Sequence, residues 1–156
     1  MRLALCNEVL ATMPPEQQCA YAAALGYDGL EIAPCTLSET PDRLRPDESS
    51  RIRTVVEKTG PVVTGLHWLL AKPAALWLTD PDRWLPTGLV AHPQINDPNR
   101  RAPGQSALPF APVAAAHAWH GYAGTVAVEL FDDVPEGAGA AVFAAGYWRG
   151  VRATLA

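Results

Sequence analysis

Short apolar runs bounded by turn-forming residues recur along the chain, and stretches with helical spacing separate them. Arg2 to Cys6 is the first such run, continuous rather than alternating, as a buried strand reads. Pro14 and Pro15 open a helix, since proline is tolerated in a first turn. That helix runs through an alanine-rich stretch to Leu25 and stops at Gly26. Tyr27-Asp28-Gly29 turns the chain into a second strand, Leu30 to Ala33. Its period of two sets Leu30 and Ile32 on one face, Glu31 and Ala33 on the other.

A loop rich in Ser, Thr, Asp and Pro leads to Asp47, the expected cap of a helix that reaches Lys58 and closes at Gly60. Pro61 to His67 reads as a third strand. Thr79-Asp80-Pro81-Asp82 then announces a helix that Leu85-Pro86 interrupts after one turn. Beyond this seam, Gly88 to Ile95 reads as a fourth strand and Pro109 to His120 as a helix. Gly124 to Leu130 reads as a fifth strand and Ala138 to Leu155 as a last helix. Strand and helix in alternation predict an α/β fold, a parallel sheet of about five strands with flanking helices and right-handed crossovers.

Composition narrows the functional classes. A chain of 156 residues, 49% hydrophobic and 18% charged, suits one globular domain. A net charge of -4 gives no basic footprint, so no nucleic-acid partner is expected. No run of eighteen apolar residues occurs, so no membrane span is expected. Cys6, Cys19 and Cys35 are odd in number and lack a C-x-x-C pair, which favours reduced thiols and a cytoplasmic setting. His117 and His120, on or at the end of a helix, are expected at the surface.

Polar groups capable of chemistry concentrate in HPQINDPNRRAPG, His92 to Gly104. This reads as a strand running out into a proline-stiffened loop. Arg100 and Arg101 there offer planar forks of donors suited to phosphate, carboxylate or a polyol. A solvated basic pair on a surface turn is the competing reading. In the fifth strand Val126, Val128 and Leu130 form an apolar face. Glu129 lies on the opposite face, at the carboxyl end.

LALCNEVL, ALGYDGLEIAP, TGLHWL, QINDPNRRAPG and GYAGTVAVELFD together resemble the sugar phosphate isomerase/epimerase family, the xylose-isomerase-like TIM barrels. Such a barrel takes about 250 residues for eight strand-helix units, and this chain has room for about five. The resemblance therefore implies a single partial TIM-barrel-like domain over residues 1–156, with a seam near 80–87 where the central units are missing. It implies the sheet order 3-2-1-5-4 in the chain's own strand numbering.

The resemblance also implies chemistry: metal-assisted proton transfer on a small ketose or hydroxy-carbonyl compound, with Mn, Co or Mg as the divalent metal. Glu129 corresponds to a glutamate that is both metal ligand and acid/base. Gln94 takes a ligand position that is commonly a histidine, and His92 is a further candidate on the same face. Arg100 corresponds to the substrate-gripping arginine, with Arg101 beside it, while Glu31, His67, Trp68 and Phe131 would line the cleft. Two further ligand positions have no counterpart, so a catalytically silent remnant that binds a small ligand or another subunit is the alternative. The opened barrel leaves two sheet edges, which implies a homo-oligomer.

Overall fold

A computed structural model describes residues 1–33, 36–37, 45–60, 62–67 and 92–155. Its strands are β1 (Arg2–Cys6), β2 (Gly29–Ile32), β3 (Val62–Leu66), β4 (Gln94–Ile95) and β5 (Thr125–Val128). Its helices are α1 (Pro15–Ala24), α2 (Pro46–Thr59), α3 (Phe110–Trp119) and α4 (Gly137–Ala153), and Asn7–Leu10 forms a 3-10 turn directly after β1. All five strands run parallel in the order β3-β2-β1-β5-β4. The order expected from the sequence is thus the order observed, with the first and last strands side by side.

The two faces of the sheet differ in kind. Leu3, Leu5, Leu30, Ile32, Ile95, Val126, Val128 and Leu130 are buried in one cluster with helix residues Cys19, Ala22, Phe110, Ala114, Ala144 and Trp148. Burying this apolar surface at roughly 25 cal/mol per Å² supplies the main drive to fold. The alanines of α4 at positions 140, 141, 144 and 145 are buried, and their small side chains let the helix lie close to the sheet. The opposite face carries Ala4 and Ala127 low in the strands and polar groups at their carboxyl ends.

Several boundaries depart from the sequence reading. Within the described residues the fourth strand is only Gln94–Ile95, because Pro93 has no N–H for a ladder; positions 88–91 lie outside those residues. The fifth strand ends at Val128, so Glu129 stands one residue beyond it. The N-cap of α2 is Arg45 rather than Asp47: Pro46 takes the first helical position, and the Glu48 carboxylate accepts the Arg45 N–H at 2.9 Å. His117 is buried, not at the surface, with Nδ1 2.8 Å from the Val113 carbonyl oxygen and its ring edge-on to Tyr122. His120 is exposed as expected. The seam at 80–87 lies outside the described residues, as does Cys35. Cys6 and Cys19 are free thiols. Among the described residues, no helix is long and apolar enough to cross a membrane.

Two features fix the upper end of the sheet. Asn7 is fully buried: its Oδ1 accepts the Ala33 N–H at 2.8 Å, and its Nδ2 donates to Gln18 and Thr36. This ties the exit of β1 to the exit of β2. Between β2 and β3 the register slips by one residue, so that Leu30 faces Val63 while Glu31 faces Gly65. Thr64 is the extra residue, and its hydroxyl donates to the Leu30 carbonyl at 3.1 Å. Side chains alternate along a strand, so this bulge sets Gly65 and His67 on the face of Glu31; unbulged pairing would set them on the helix side.

Candidate functional site

The carboxyl ends of the strands bring five of the expected residues into one chain of close polar contacts. Glu31 is buried at the exit of β2. Its Oε1 lies 3.0 Å from His92 Nε2, and its Oε2 accepts from Gln94 Nε2 at 2.7 Å. Gln94 Nε2 also lies 2.6 Å from His67 Nδ1, and His67 Nε2 lies 2.9 Å from Glu129 Oε1. His67 and Glu129 are both buried.

The donors in this chain can be assigned from one end to the other. An ionised carboxylate only accepts, so the Gln94 group facing Glu31 is its amide nitrogen. That nitrogen has a second hydrogen, which makes His67 Nδ1 an acceptor. In a neutral ring the proton then sits on Nε2, the nitrogen 2.9 Å from Glu129 Oε1. Glu31 thus orients Gln94, and Gln94 fixes the tautomer of the histidine that touches Glu129.

Burial pushes the Glu31 carboxyl upward, but hydrogen bonds from His92 and Gln94 and the nearby imidazoles outweigh it, and the net position is below the ordinary value. Because the folded-state value is depressed, the stability Glu31 contributes is present above its unfolded value, near 4.5, and is lost as pH falls through the folded value. Acid unfolding of the wild type is therefore expected to steepen below about pH 4.5 relative to Glu31→Gln. Denaturant midpoints measured at several pH values check this; parallel curves for the two proteins would remove the assignment.

The two arginines form a different arrangement. Arg100 adopts φ 68°, a left-handed conformation for a non-glycine residue. Its carbonyl oxygen accepts the N–H groups of Phe131 and Asp132 at 3.0 and 3.1 Å, which stitches the loop to the exit of β5. The Asn99 side chain receives the Arg101 N–H at 3.0 Å, and buried Asp97 accepts from Ser106 at 2.7 Å, so the turn is held from within. The Arg100 guanidinium lies over the Phe131 ring, 5.2 Å from its centroid. Arg101 Nε donates to Asp132 Oδ2 at 2.7 Å. The pair sits beside the exit of Glu129, one arginine stacked and the other ion-paired. Trp68 lies outside the described residues.

The metal implied by the resemblance does not fit the three groups expected to hold it. Gln94 presents N–H donors to Glu31 and His67, and donors do not ligate a cation. His92 directs Nε2 at Glu31. Glu129 alone among the three keeps a carboxylate suited to a metal. Sequence reasoning did not assign Cys6 and Glu8 to the site. Cys6 is fully buried at the end of β1, opposite Glu31 in register, and its thiol lies 3.9 Å from Glu8 Oε2. Burial pushes that thiol far above its ordinary range; a hydrogen bond with the Glu8 backbone acts in the opposite sense, and the carboxylates of Glu8, Glu31 and Glu129 push it up further. Their position at a strand exit in a parallel sheet was the available signal. No family model, curated protein or solved structure matches the chain.

Proposed function

We propose that the chain is a sugar isomerase/epimerase-like protein whose surviving chemistry is proton transfer next to the carbonyl of a small ketose or hydroxy-carbonyl compound. The observation that carries this reading is the 2.9 Å contact between Glu129 and His67 at the carboxyl ends of parallel strands, where α/β folds bind ligands. Glu129 removes the proton from the carbon beside the carbonyl. His67, held as a donor at Nε2, faces the oxygen that gains negative charge as the enediol-like intermediate forms. Glu31 and Gln94 act as positioning residues, and Arg100, beside the β5 exit, is the group that meets a substrate oxyanion.

Solvent-deuterium exchange into short ketoses, with and without a phosphate, followed by proton NMR, tests the reading. Exchange at the carbon next to the carbonyl is the expected result. Absence of exchange across the panel would leave the alternative, a silent association module.

That second reading has its own support. Val62, Val63 and Leu66 on edge strand β3 are 48%, 45% and 53% exposed. A groove of about 660 Å³ beside them is lined by Ile52, Val56, Val62 and Val63 among others. Association through this edge predicts a dimer by sedimentation that Val63→Lys disperses.

A further inference from the structure

We infer that Cys6, Glu8 and His67 form a binding site for a borderline-soft divalent cation such as Zn²⁺ or Co²⁺, with Glu129 beside its open position. One ligand atom from each of the three lies within 4.8 Å of the other two, and among the described residues this is the only such group of His, Cys, Asp or Glu side chains. Glu8 Oε2 is 3.9 Å from Cys6 Sγ and 3.8 Å from His67 Nε2. Metal–ligand bonds of about 2.3 Å to sulfur and about 2.0–2.2 Å to nitrogen or oxygen, arranged tetrahedrally, put ligand atoms about 3.3–3.6 Å apart. Bringing Glu8 Oε2 from 3.9 and 3.8 Å to that spacing from Cys6 and His67 takes a few tenths of an ångström. Glu8 can supply that movement, since its side chain is 35% exposed while Cys6 and His67 are fixed by burial.

The donor set decides the class of ion. A thiolate with an imidazole and one carboxylate selects zinc or cobalt over magnesium or calcium, which require oxygen ligands. Three protein ligands from β1, the turn after it and the exit of β3 leave a fourth position open, as in zinc sites that perform chemistry rather than brace a fold. Glu129 Oε1, 2.9 Å from the ligating nitrogen, stands next to that position.

Loading the ion has two proton consequences. The Cys6 thiol loses its proton to solvent, as thiols do on coordination. The His67 proton leaves Nε2 for Nδ1, so the Gln94 amide nitrogen has to move off Nδ1 while it keeps its bond to Glu31. The ion and the resting 2.9 Å Glu129–His67 contact are therefore alternatives. The site needs only these donors and stands independently of the proton-transfer reading.

Cobalt alone is the probe. Titrating the metal-free full chain with Co²⁺ is expected to raise a near-ultraviolet thiolate-to-cobalt charge-transfer band that Zn²⁺ displaces. Cys6→Ser is expected to lose the band. Glu8→Gln, at the partly exposed ligand, is expected to keep the band and weaken Co²⁺ binding roughly tenfold or more. Absence of the band in the wild type overturns the site, as does a band that persists in a folded Cys6→Ser protein, which would place the ion on another cysteine. Should Cys6→Ser fail to fold by circular dichroism, Glu8→Gln decides the matter, and unchanged affinity there overturns the site.

Discussion

The Glu129→Gln variant is expected to exchange the substrate hydrogen about 10²- to 10⁴-fold more slowly than the wild type, the range over which a positioned general base acts. Glutamine keeps the shape of the side chain and can still face His67 Nε2 with its amide oxygen, so the contacts running from Glu31 survive. What it loses is the capacity to take a proton. Side-chain burial at position 129 argues against replacement of the base by bulk water, because the carboxylate is only 10% exposed. The rate comes from the NMR exchange experiment, with a thermal melt to show that the variant is folded. A Glu129→Gln protein that exchanges at the wild-type rate would remove the residue from the chemistry.

The largest loss of stability is expected at Trp148, where replacement by alanine costs about 3–5 kcal/mol. Trp148 is 2% exposed on α4 and belongs to the cluster that packs the helices onto β1, β2 and β5. Its indole N–H has no hydrogen-bond partner among the described residues. The cost is therefore one of lost apolar contact and a cavity, with no hydrogen bond to restore. Trp148→Phe is accordingly expected to lose much less than Trp148→Ala. Urea unfolding of both variants gives the comparison, and equal losses would contradict the packing account.

Much of the scaffold was legible because alternation of strand and helix leaves few topologies, and LALC, GLEI and TVAV are continuous apolar or near-apolar runs that a sheet covered by helices requires. The placement of Glu31 and Glu129 away from the helix layer followed from the period of two. The bulge at Thr64 was not legible: nothing in PVVTGLH marks the extra residue, yet it decides which face His67 joins. Nor did the sequence disclose that Gln94 spends its amide hydrogens on Glu31 and His67, since this depends on three strands converging. Arg100 and Arg101 stood out as charges, but their partners Phe131 and Asp132 lie some thirty residues downstream and meet them only because β4 and β5 are neighbours. His117 was expected at the surface because the helix that carries it has alanine on nearly every side and little amphipathic contrast to mark its inner face.

The tautomer of His67 tests the account most directly, since it depends on Glu31, Gln94 and Glu129 all standing where the strand exits bring them. Long-range ¹H–¹⁵N correlation of the metal-free protein, with His67 assigned by the His67→Gln variant, reads which ring nitrogen carries the proton. The neutral ring protonated on Nε2 is the expected result, and the Gln94→Leu variant is expected to relax that preference. A ring protonated on Nδ1, or one whose tautomers are mixed equally in the wild type and in Gln94→Leu, would contradict the account.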